Sequence, residues 1–250
     1  MSTLDYATRP VLVLTVDTDW SPQTCVEDTL ELLREHEAPA TIFATRGLDP
    51  RLLHGFDVGL HPNFCGPTQS EEAILEELRA CSRSLPRATG VRSHALVGSS
   101  RHYLLLRDKF GRLRYTSNCY MPGVAGIMPF TTQSGLPELP IYWMDHLALE
   151  NGAGIDTAGL LKSMLSPGLK VLDFHPFHVY INSQSRAHFQ TARPCYHNVT
   201  RLSRHRRNGA GVRTFLSELL QRAKEENLQL TTCAEVAKVV RQRIITSRVA

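Results

Sequence analysis

Apolar runs and helix-period patterns alternate along this chain. Residues 11–16 are all apolar or β-branched, which is typical of a strand covered on both faces. Shorter runs of this kind predict further strands, and apolar residues spaced three and four apart predict helices between them. The predicted strands cover residues 11–16, 40–44, 56–60, 90–97, 114–118, 139–143, 169–174 and 228–230. The predicted helices cover residues 24–36, 70–84, 101–110, 156–165, 211–225 and 234–244.

Strands that alternate with helices favour a parallel sheet with helical crossovers, either open or closed into a barrel. The carboxyl ends of the strands then meet at one edge, where such folds carry their function. Two segments depart from the pattern. Residues 119–135 contain Gly and Pro and predict a lid or surface loop, and the Arg-rich residues 183–208 have no clear periodicity. We expect a single domain over residues 1–250.

Polar side chains gather where the predicted strands end. Asp17 and Asp19 follow the first strand and share one face, because side chains alternate along an extended backbone. Two acids in this place are costly unless a metal, a cation or a proton compensates them. The plainer alternative is a turn in which an Asp caps the next helix. That alternative is weakened by further polar residues at other strand ends, namely His61, Arg92, His94, Asp145 and His175.

A carboxylate and imidazoles from separate strands suit a zinc-like ion with three protein ligands and one open position. In this interpretation Asp19, nearer the mouth of the strand, binds the metal, and Asp17 takes a proton from the water. Arg92 keeps Asp17 ionised and oriented. His175 donates a proton to the leaving group. The plainer alternatives are an ordinary salt bridge for Arg92 and a capped core histidine for His175.

These residues resemble the motifs of the polysaccharide deacetylase superfamily, also called the NodB-homology fold or carbohydrate esterase family 4. Within it they look most like a cytoplasmic bacterial branch. The resemblance runs from about residue 11 to residue 244. It implies an α/β fold, a distorted (β/α)7 barrel of the NodB-homology type. It also implies hydrolysis of N-acyl or O-acyl groups with a divalent metal.

Five segments carry the resemblance, and the resemblance implies roles for residues in four of them. Residues 15–20 are similar to the first motif, with Asp17 as base and Asp19 as metal ligand. Residues 59–65 are similar to the second and place His61 on the metal, while residues 90–94 supply Arg92 as in the third. Residues 139–145 and 173–176 are similar to the fourth and fifth, and the fifth supplies His175 as the acid.

One expected ligand is missing, because the family's second motif has two histidines four residues apart and Cys65 stands in place of the second. Cys65 itself is one candidate, since a thiolate binds zinc well. His94 is the other, because it follows Arg92 by two residues and would point into the same interior on strand four. We favour His94. A third alternative is that no tight metal site survives.

Composition adds limits on partners and location. The formal charge of +4 gives weak grounds for an anionic partner and none for nucleic acid. No apolar run approaches the length of a membrane span. The first ten residues lack the pattern of a signal peptide, and the six cysteines form no CxxC pair, so we expect reduced thiols and a cytoplasmic protein. Four arginines either grip an anion or form a solvated loop: Arg201, Arg204, Arg206 and Arg207.

Together these observations predict a metal-dependent deacetylase that acts on an acetylated amino sugar or a related small metabolite. The expected ion is Zn²⁺, held by Asp19, His61 and His94. Two alternatives are kept: a cyclic amide or imide hydrolase on the same scaffold, and a non-catalytic carbohydrate- or anion-binding module. We expect a small-molecule substrate and neither nucleic acid nor membrane as partner. Four aromatic residues either line the pocket or belong to the core: Trp20, Tyr142, Trp143 and Phe177.

Overall fold

The strands belong to one sheet in the computed structural model, which describes residues 4–66, 70–151 and 155–249, with side chains described as far as residue 243. The strands are β1 (Pro10–Asp17), β2 (Ala40–Ala44), β3 (Asp57–Leu60), β4 (Gly90–Val91), β5 (Tyr115–Thr116), β6 (Phe130–Thr131), β7 (Pro137–Glu138), β8 (Ile141–Met144), β9 (Gly168–Phe174) and β10 (Gln229–Thr231). The α-helices are α1 (Gln23–Glu35), α2 (Glu71–Ser84), α3 (Ser100–Lys109), α4 (Asp145–Glu150), α5 (Thr157–Met164), α6 (Pro176–Ile181), α7 (Arg186–Ala192), α8 (Val199–Leu202), α9 (Val212–Glu225) and α10 (Cys233–Val249). Residues 1–3, at the start of the segment in which we expect no signal peptide, lie outside the described part.

Strand β1 is the third strand from the β8 end of the sheet, whose order is β6-β7-β5-β4-β3-β2-β1-β9-β8. The pairs along this path are parallel, apart from the antiparallel pair β6–β7. One edge of β1 pairs with β9. The other edge is shared: residues 11–13 pair with β10, and residues 14–17 pair with β2. Both edges of β1 are therefore filled, which suits its unbroken apolar sequence.

The sheet curls until its two ends meet. Just after β5, Tyr120 forms a parallel bridge with Ile141 of β8. Ile141 donates its N–H to Cys119 O at 2.8 Å and accepts from Met121 N at 2.9 Å. If β7 and β8 are counted as one barrel strand, and β6 and β10 are left out because they pair only with β7 and β1, seven strands surround the interior in the described part of the chain. The predicted distorted (β/α)7 barrel of an α/β protein is confirmed.

Helix α1 illustrates how the apolar spacing becomes packing. Val26, Leu30 and Leu33 share the helix face that covers the sheet, and all three are fully buried. Burial of one such side chain contributes about 1.5–3 kcal/mol to the free energy of unfolding. Truncation of Leu30 to Ala would therefore cost about 2–5 kcal/mol. The packed helix fixes the turn that leads out of β1, where Asp19 lies.

Strand four is much shorter than the predicted residues 90–97, because β4 ends at Val91. Ser93 draws the chain away from the sheet: its N–H donates to Asn118 Oδ1 at 2.8 Å and its hydroxyl to Val97 O at 2.6 Å. Short polar side chains that bond nearby backbone compete with strand pairing in this way. A 3-10 turn over His94–Leu96 follows, with left-handed φ of +53° at Ala95 and +55° at Leu96. The prediction that Arg92 and His94 point inward along one strand is wrong.

Two other segments differ from their predictions. Residues 119–135 contain strand β6, and Ile127 is buried with its carbonyl accepting from Leu169 N at 2.7 Å. Leu169 lies near the amino end of β9, opposite the predicted site, so this part of the segment is not a lid over it. The Arg-rich residues 183–208 contain α7, α8 and two 3-10 turns, all shorter than a periodic pattern can reveal. The single domain over residues 1–250 stays a prediction.

Candidate metal centre

The carboxyl ends of the central strands open into a cavity of about 400 Å³. Five of the six predicted site residues line it, and the sixth, Arg92, is fully buried. The cavity is lined by Asp17, Asp19, His61, His94, Ala95, Leu96, Met144, His146, Leu147 and His175. A polar floor and several apolar side chains in one concave place are typical of a small-molecule site.

Asp19, His61 and His94 converge on one carboxylate oxygen. His61 Nε2 lies 2.9 Å from Asp19 Oδ1, and His94 Nδ1 lies 2.8 Å from the same atom. The candidate ligand atoms of the three residues lie within 4.8 Å of one another. Asp19 has a left-handed φ of +42°, which Asp adopts more readily than most residues. One carboxylate and two imidazoles are the donor set of a catalytic zinc site with one position open, so these residues fit a divalent ion.

The electrostatics of this triad favour a cation. Burial raises the pKa of Asp19, but the hydrogen bonds from His61 and His94 outweigh it and hold the pKa well below the usual carboxyl range. Burial lowers the pKa of His61, but the charges of Asp17 and Asp19 outweigh it, so the pKa is raised. The carboxylates thus favour the protonated form of His61. A bound metal would have to displace that proton, because imidazole ligates in its deprotonated form.

The structure separates the two candidates for the third ligand. His94 reaches Asp19 because the 3-10 turn after Ser93 carries it to the cavity. Cys65 is exposed, and its Sγ lies 4.0 Å from the carbonyl oxygen of His94. The converging donors within the described residues include His94 and do not include Cys65. The geometry therefore supports His94 as the third ligand, although by a backbone path that the sequence did not predict.

Arg92 lies beneath the cavity and joins two carboxylates. Its Nη1 donates to Asp17 Oδ1 at 3.1 Å and to Asp173 Oδ1 at 2.7 Å. Its other nitrogens donate to the carbonyl and hydroxyl oxygens of Ser117. Burial, together with the nearby charge of Asp17, raises the pKa of Asp173 well above its ordinary value. A protonated Asp173 leaves the positive charge of Arg92 to Asp17, whose carboxylate is thereby held in one orientation.

His175 is held by a carboxylate as well. Its Nδ1 lies 2.6 Å from Asp145 Oδ1, and its backbone N–H donates to Asp145 Oδ2 at 2.7 Å. Burial lowers the pKa of His175, but Asp145 outweighs burial and the pKa lies well above its ordinary value. His175 Nε2 lies 3.4 Å from Asp19 Oδ2, at the cavity. His175 therefore presents a proton to the same space that the triad faces.

Sequence reasoning gave no role to Asp173 or Asp145. Asp173 precedes His175 by two residues on a strand, so period-two alternation alone placed both on one face. The sequence marks Asp145 as a polar residue at a strand end and as the last residue of the segment similar to the fourth motif. Its partnership with His175 depends on β8 lying beside β9, which the sheet order decides and chain order does not.

The aromatic residues divide between the site and the core. Trp20 is 45% exposed, and its ring meets His94 edge to face with 5.0 Å between centroids. The other three are buried: Trp143 packs against Phe174, Tyr142 lies under Lys170 Nζ at 3.9 Å, and Phe177 stacks on Tyr196. None of the four lines the cavity, and Trp20 borders it through its contact with His94.

The Arg-rich segment is tied to the body of the protein at its end. Arg206 Nη2 lies 3.0 Å from Asp28 Oδ1, and its guanidinium covers the ring of Tyr180 at 5.1 Å. Arg207 donates its backbone N–H to Ile181 O at 3.1 Å. These contacts give Arg206 a structural role. None of the residues that line the cavity comes from the segment, so its role as an anion grip stays a prediction.

No helix among the described residues is both long enough and apolar enough to cross a bilayer.

Comparisons with known proteins bear on fold and family. A family model described as WbmS-like polysaccharide deacetylase matches residues 14–193. A crystal structure from Bordetella bronchiseptica, assigned as a polysaccharide deacetylase involved in O-antigen biosynthesis, is 30% identical with a TM-score of 0.75. The match covers 86% of this chain and 91% of that one.

Two more distant structures share the fold. Peptidoglycan deacetylase PdaC from Bacillus subtilis is 13% identical with a TM-score of 0.51, and the match covers 98% of this chain and 97% of that one. BA3943 from Bacillus anthracis, described as a CE4 family pseudoenzyme, is 13% identical with a TM-score of 0.50. That match covers 92% of this chain and 66% of the other. No curated protein matches the chain.

Proposed function

The chain belongs to the WbmS-like polysaccharide deacetylase family, and from this premise we propose that it is a metal-dependent N-deacetylase of an acetylated amino sugar or a related small metabolite. The observation that carries the proposal is the meeting of two devices in one cavity. Asp19, His61 and His94 form a metal-ligand set, and the pair Asp145–His175 presents a proton beside it. Amide hydrolysis needs both, since water must be activated and the departing amine must be protonated.

The metal would be held by Asp19 Oδ1, His61 Nε2 and His94 Nδ1. Mixed imidazole and carboxylate donors suit Zn²⁺, which we propose as the ion. The chemistry supplied by a bound ion of this kind is Lewis-acid activation of the acyl oxygen and of the attacking water.

Asp17 is the proposed general base. Arg92 occupies Asp17 Oδ1 at 3.1 Å, which leaves Oδ2 as the atom that accepts the proton of the water. Arg92 also prevents the carboxylate from turning away, because it is itself held by Ser117 and Asp173. A base that is fixed before the reaction loses little freedom at the moment of proton transfer.

His175 is the proposed general acid. Its Nδ1 is held by the carboxylate of Asp145, so Nε2 is the nitrogen that releases a proton to the departing amine. A negative partner that stabilises the imidazolium keeps this proton in place near neutral pH. After the bond breaks, the neutral imidazole still keeps its hydrogen bond to Asp145, and the orientation of the ring is retained.

The proposed substrate class is supported by the volume of the cavity and by the similarity to the Bordetella protein. A cavity of about 400 Å³ suits a small molecule, and Trp20 offers a partly exposed aromatic face at its margin. The Bordetella relative assigned to O-antigen biosynthesis favours an acylated sugar over a cyclic imide. We place the reaction in the cytoplasm, because all six cysteines are free thiols.

The test is acetate release by the purified protein from a panel of N-acetylated amino sugars. We expect release that stops with a chelator and returns with Zn²⁺, and that falls at least about 100-fold in Asp17→Asn, since a general base contributes about 10²–10⁴-fold. Asp28→Asn is the matched control, because Asp28 pairs with Arg206 and does not line the cavity. Release that survives both chelator and Asp17→Asn would contradict the mechanism. Sugar binding without turnover would favour the binding module instead.

A further inference from the structure

A second imidazole lies in the cavity beside His175 and has no part in the mechanism above. His146 lines the cavity, and the centroids of its ring and that of His175 are 6.0 Å apart. His146 Nδ1 lies 3.3 Å from Nε2 of His178, and His178 Nδ1 lies 2.9 Å from Ser183 Oγ. His178 and Ser183 are buried. These three side chains form a chain of hydrogen bonds that starts in the core and ends at the cavity.

The donor and the acceptor in each of these hydrogen bonds follow from the proton of Ser183. The hydroxyl is fully buried, and His178 Nδ1 is the partner that the described residues give it. A buried hydroxyl that donates to Nδ1 satisfies both groups, whereas the opposite direction leaves the hydroxyl proton without an acceptor. His178 then carries its proton on Nε2 and donates to His146 Nδ1. His146 must in turn carry its proton on Nε2, the ring nitrogen left to meet a bound molecule.

Both imidazoles are neutral in this arrangement. Burial lowers the pKa of His178 to about 3, and burial with the nearby charge of His175 lowers the pKa of His146. The backbone also fixes His146, whose N–H donates to Asp145 Oδ1 at 2.6 Å. The rings of His146 and His178 lie edge to edge, 30° from coplanar with 5.6 Å between centroids, as a hydrogen bond between ring nitrogens requires. The side chain is thus a neutral donor with a set position, unlike the charged His175 next to it.

We propose that His146 Nε2–H recognises an oxygen of the substrate, on the carbon next to the one that bears the departing nitrogen. The inference rests on the proposed deacetylation at this site. His175 must reach the departing nitrogen, and nitrogen and oxygen on adjacent carbons are close enough to contact two imidazoles whose centroids are 6.0 Å apart. The side chains that flank His146 in the cavity, Met144 and Leu147, are apolar. The substrate is therefore a vicinal acylamino alcohol or its oxidised equivalent, and His178 and Ser183 are positioning residues.

The proton positions can be tested without any substrate, by nitrogen NMR of the histidine rings in the purified protein at neutral pH. His146→Gln and His178→Gln assign the two signals. We expect both rings to be neutral with the proton on Nε2, and Ser183→Ala to convert His178 into a mixture of tautomers. Ser99→Ala is the matched control, because Ser99 bonds Nδ1 of His102 at 2.8 Å in a separate Ser–His pair. A proton on His146 Nδ1 would overturn the inference.

Recognition is tested with N-acetylglucosamine and its 1-deoxy and 3-deoxy analogues, each of which lacks the hydroxyl on one of the two carbons next to the acylated one. His146→Leu removes the donor. We expect kcat/KM for the sugar to fall about 10-fold, the value of one hydrogen bond, and kcat/KM for one of the two analogues to change less than about 2-fold. His146→Gln restores most of the loss, because its amide accepts from His178 and still donates into the cavity. Equal losses on all three compounds would refute recognition by His146.

The outcome also separates this inference from the proposed function. If the wild type hydrolyses none of the three compounds, binding replaces turnover as the measurement. N-acetylglucosamine should then shift the His146 Nε2 signal more than one of the two analogues does. A shift that is equal for all three compounds, or absent, would refute the recognition step. A selective shift without hydrolysis would sustain it and contradict the deacetylase.

Discussion

Replacement of Asp145 by Asn tests the acid half of the mechanism. Asp145 is fully buried, and its two oxygens accept three hydrogen bonds, from His175 Nδ1 at 2.6 Å, His175 N at 2.7 Å and His146 N at 2.6 Å. Asn offers one oxygen and one NH₂ group in the same space. Either His175 Nδ1 or a backbone N–H therefore faces a donor, and the charge that stabilises the imidazolium is lost in every arrangement.

The size of the effect follows from these contacts. A hydrogen bond to a charged group contributes about 1.5–3 kcal/mol, so loss of the His175–Asp145 bond slows an acid-dependent step about 10- to 150-fold. The unpaired buried donor costs about 1–3 kcal/mol of unfolding free energy. For a chain of 250 residues this lowers the Tm by roughly 2–12 °C. Rates measured at 25 °C therefore still report on folded protein.

The assay compares two leaving groups. An N-acetyl amino sugar releases an amine that must be protonated, whereas 4-nitrophenyl acetate releases a phenolate that needs no proton. Asp145→Asn should slow the amide by the factor above and leave the ester within about 2-fold. Asp57→Asn is the control, because Asp57 is also a largely buried carboxylate and accepts from Thr41 and Tyr115 away from the cavity. Equal slowing of amide and ester would refute the assignment of His175 as the acid.

Three further outcomes follow from the described contacts. His61→Ala and His94→Ala should each lower the zinc content of purified protein from about one ion per chain towards zero, by elemental analysis, while Cys65→Ser keeps it; a loss in Cys65→Ser alone would reverse the choice of ligand. Arg92→Leu leaves the buried carboxylate of Asp17 without its cation and removes a donor from Asp173. It should lower the urea-measured free energy of unfolding by about 3–5 kcal/mol; a change under about 1 kcal/mol would contradict the network. The pKa of His178 is lowered from 6.5 to about 3 by burial. Between these pH values the unfolded chain therefore binds a proton at His178 and the folded protein does not. Its share of stability is complete above pH 6.5 and is lost by about 1.4 kcal/mol per pH unit as the pH falls towards 3. His178→Gln should flatten that part of the urea profile, and an unchanged slope would show that the group does not titrate as described.

The sequence predicts the structure well wherever the residues of a single strand are enough to identify that strand. The apolar residues 11–16 predict β1, and Asp17 and Asp19 follow directly from it. Residues 40–44 and 169–174 give β2 and nearly all of β9 for the same reason, since buried parallel strands are mainly apolar. Predictions of this kind need no knowledge of the neighbouring strands.

The rest of the site depends on facts that a single strand does not contain. His94 was favoured as a ligand on the premise of a continuous strand, yet Ser93 turns the chain and a 3-10 turn delivers the imidazole. Asp145 and His146 lie at the end of β8, and their roles depend on β9 and α6 packing beside them. Local hydrogen bonds and sheet order therefore decided what the apolar pattern could not.

The pairing of β1 has a consequence for the order in which the protein is made. β1 is synthesised before the other described strands, but two of its three partners, β9 and β10, end at residues 174 and 231. Until those residues have been synthesised, one edge of β1 and half of the other expose backbone N–H and C=O groups that another chain can pair with. Parallel pairing over such separations folds slowly and leaves the nascent chain exposed to aggregation. The strand that carries the two acids is thus synthesised before its partners and is among the last to be fully paired. A chain that ended before β10 would leave residues 11–13 of this apolar strand unpaired on the edge that β2 shares.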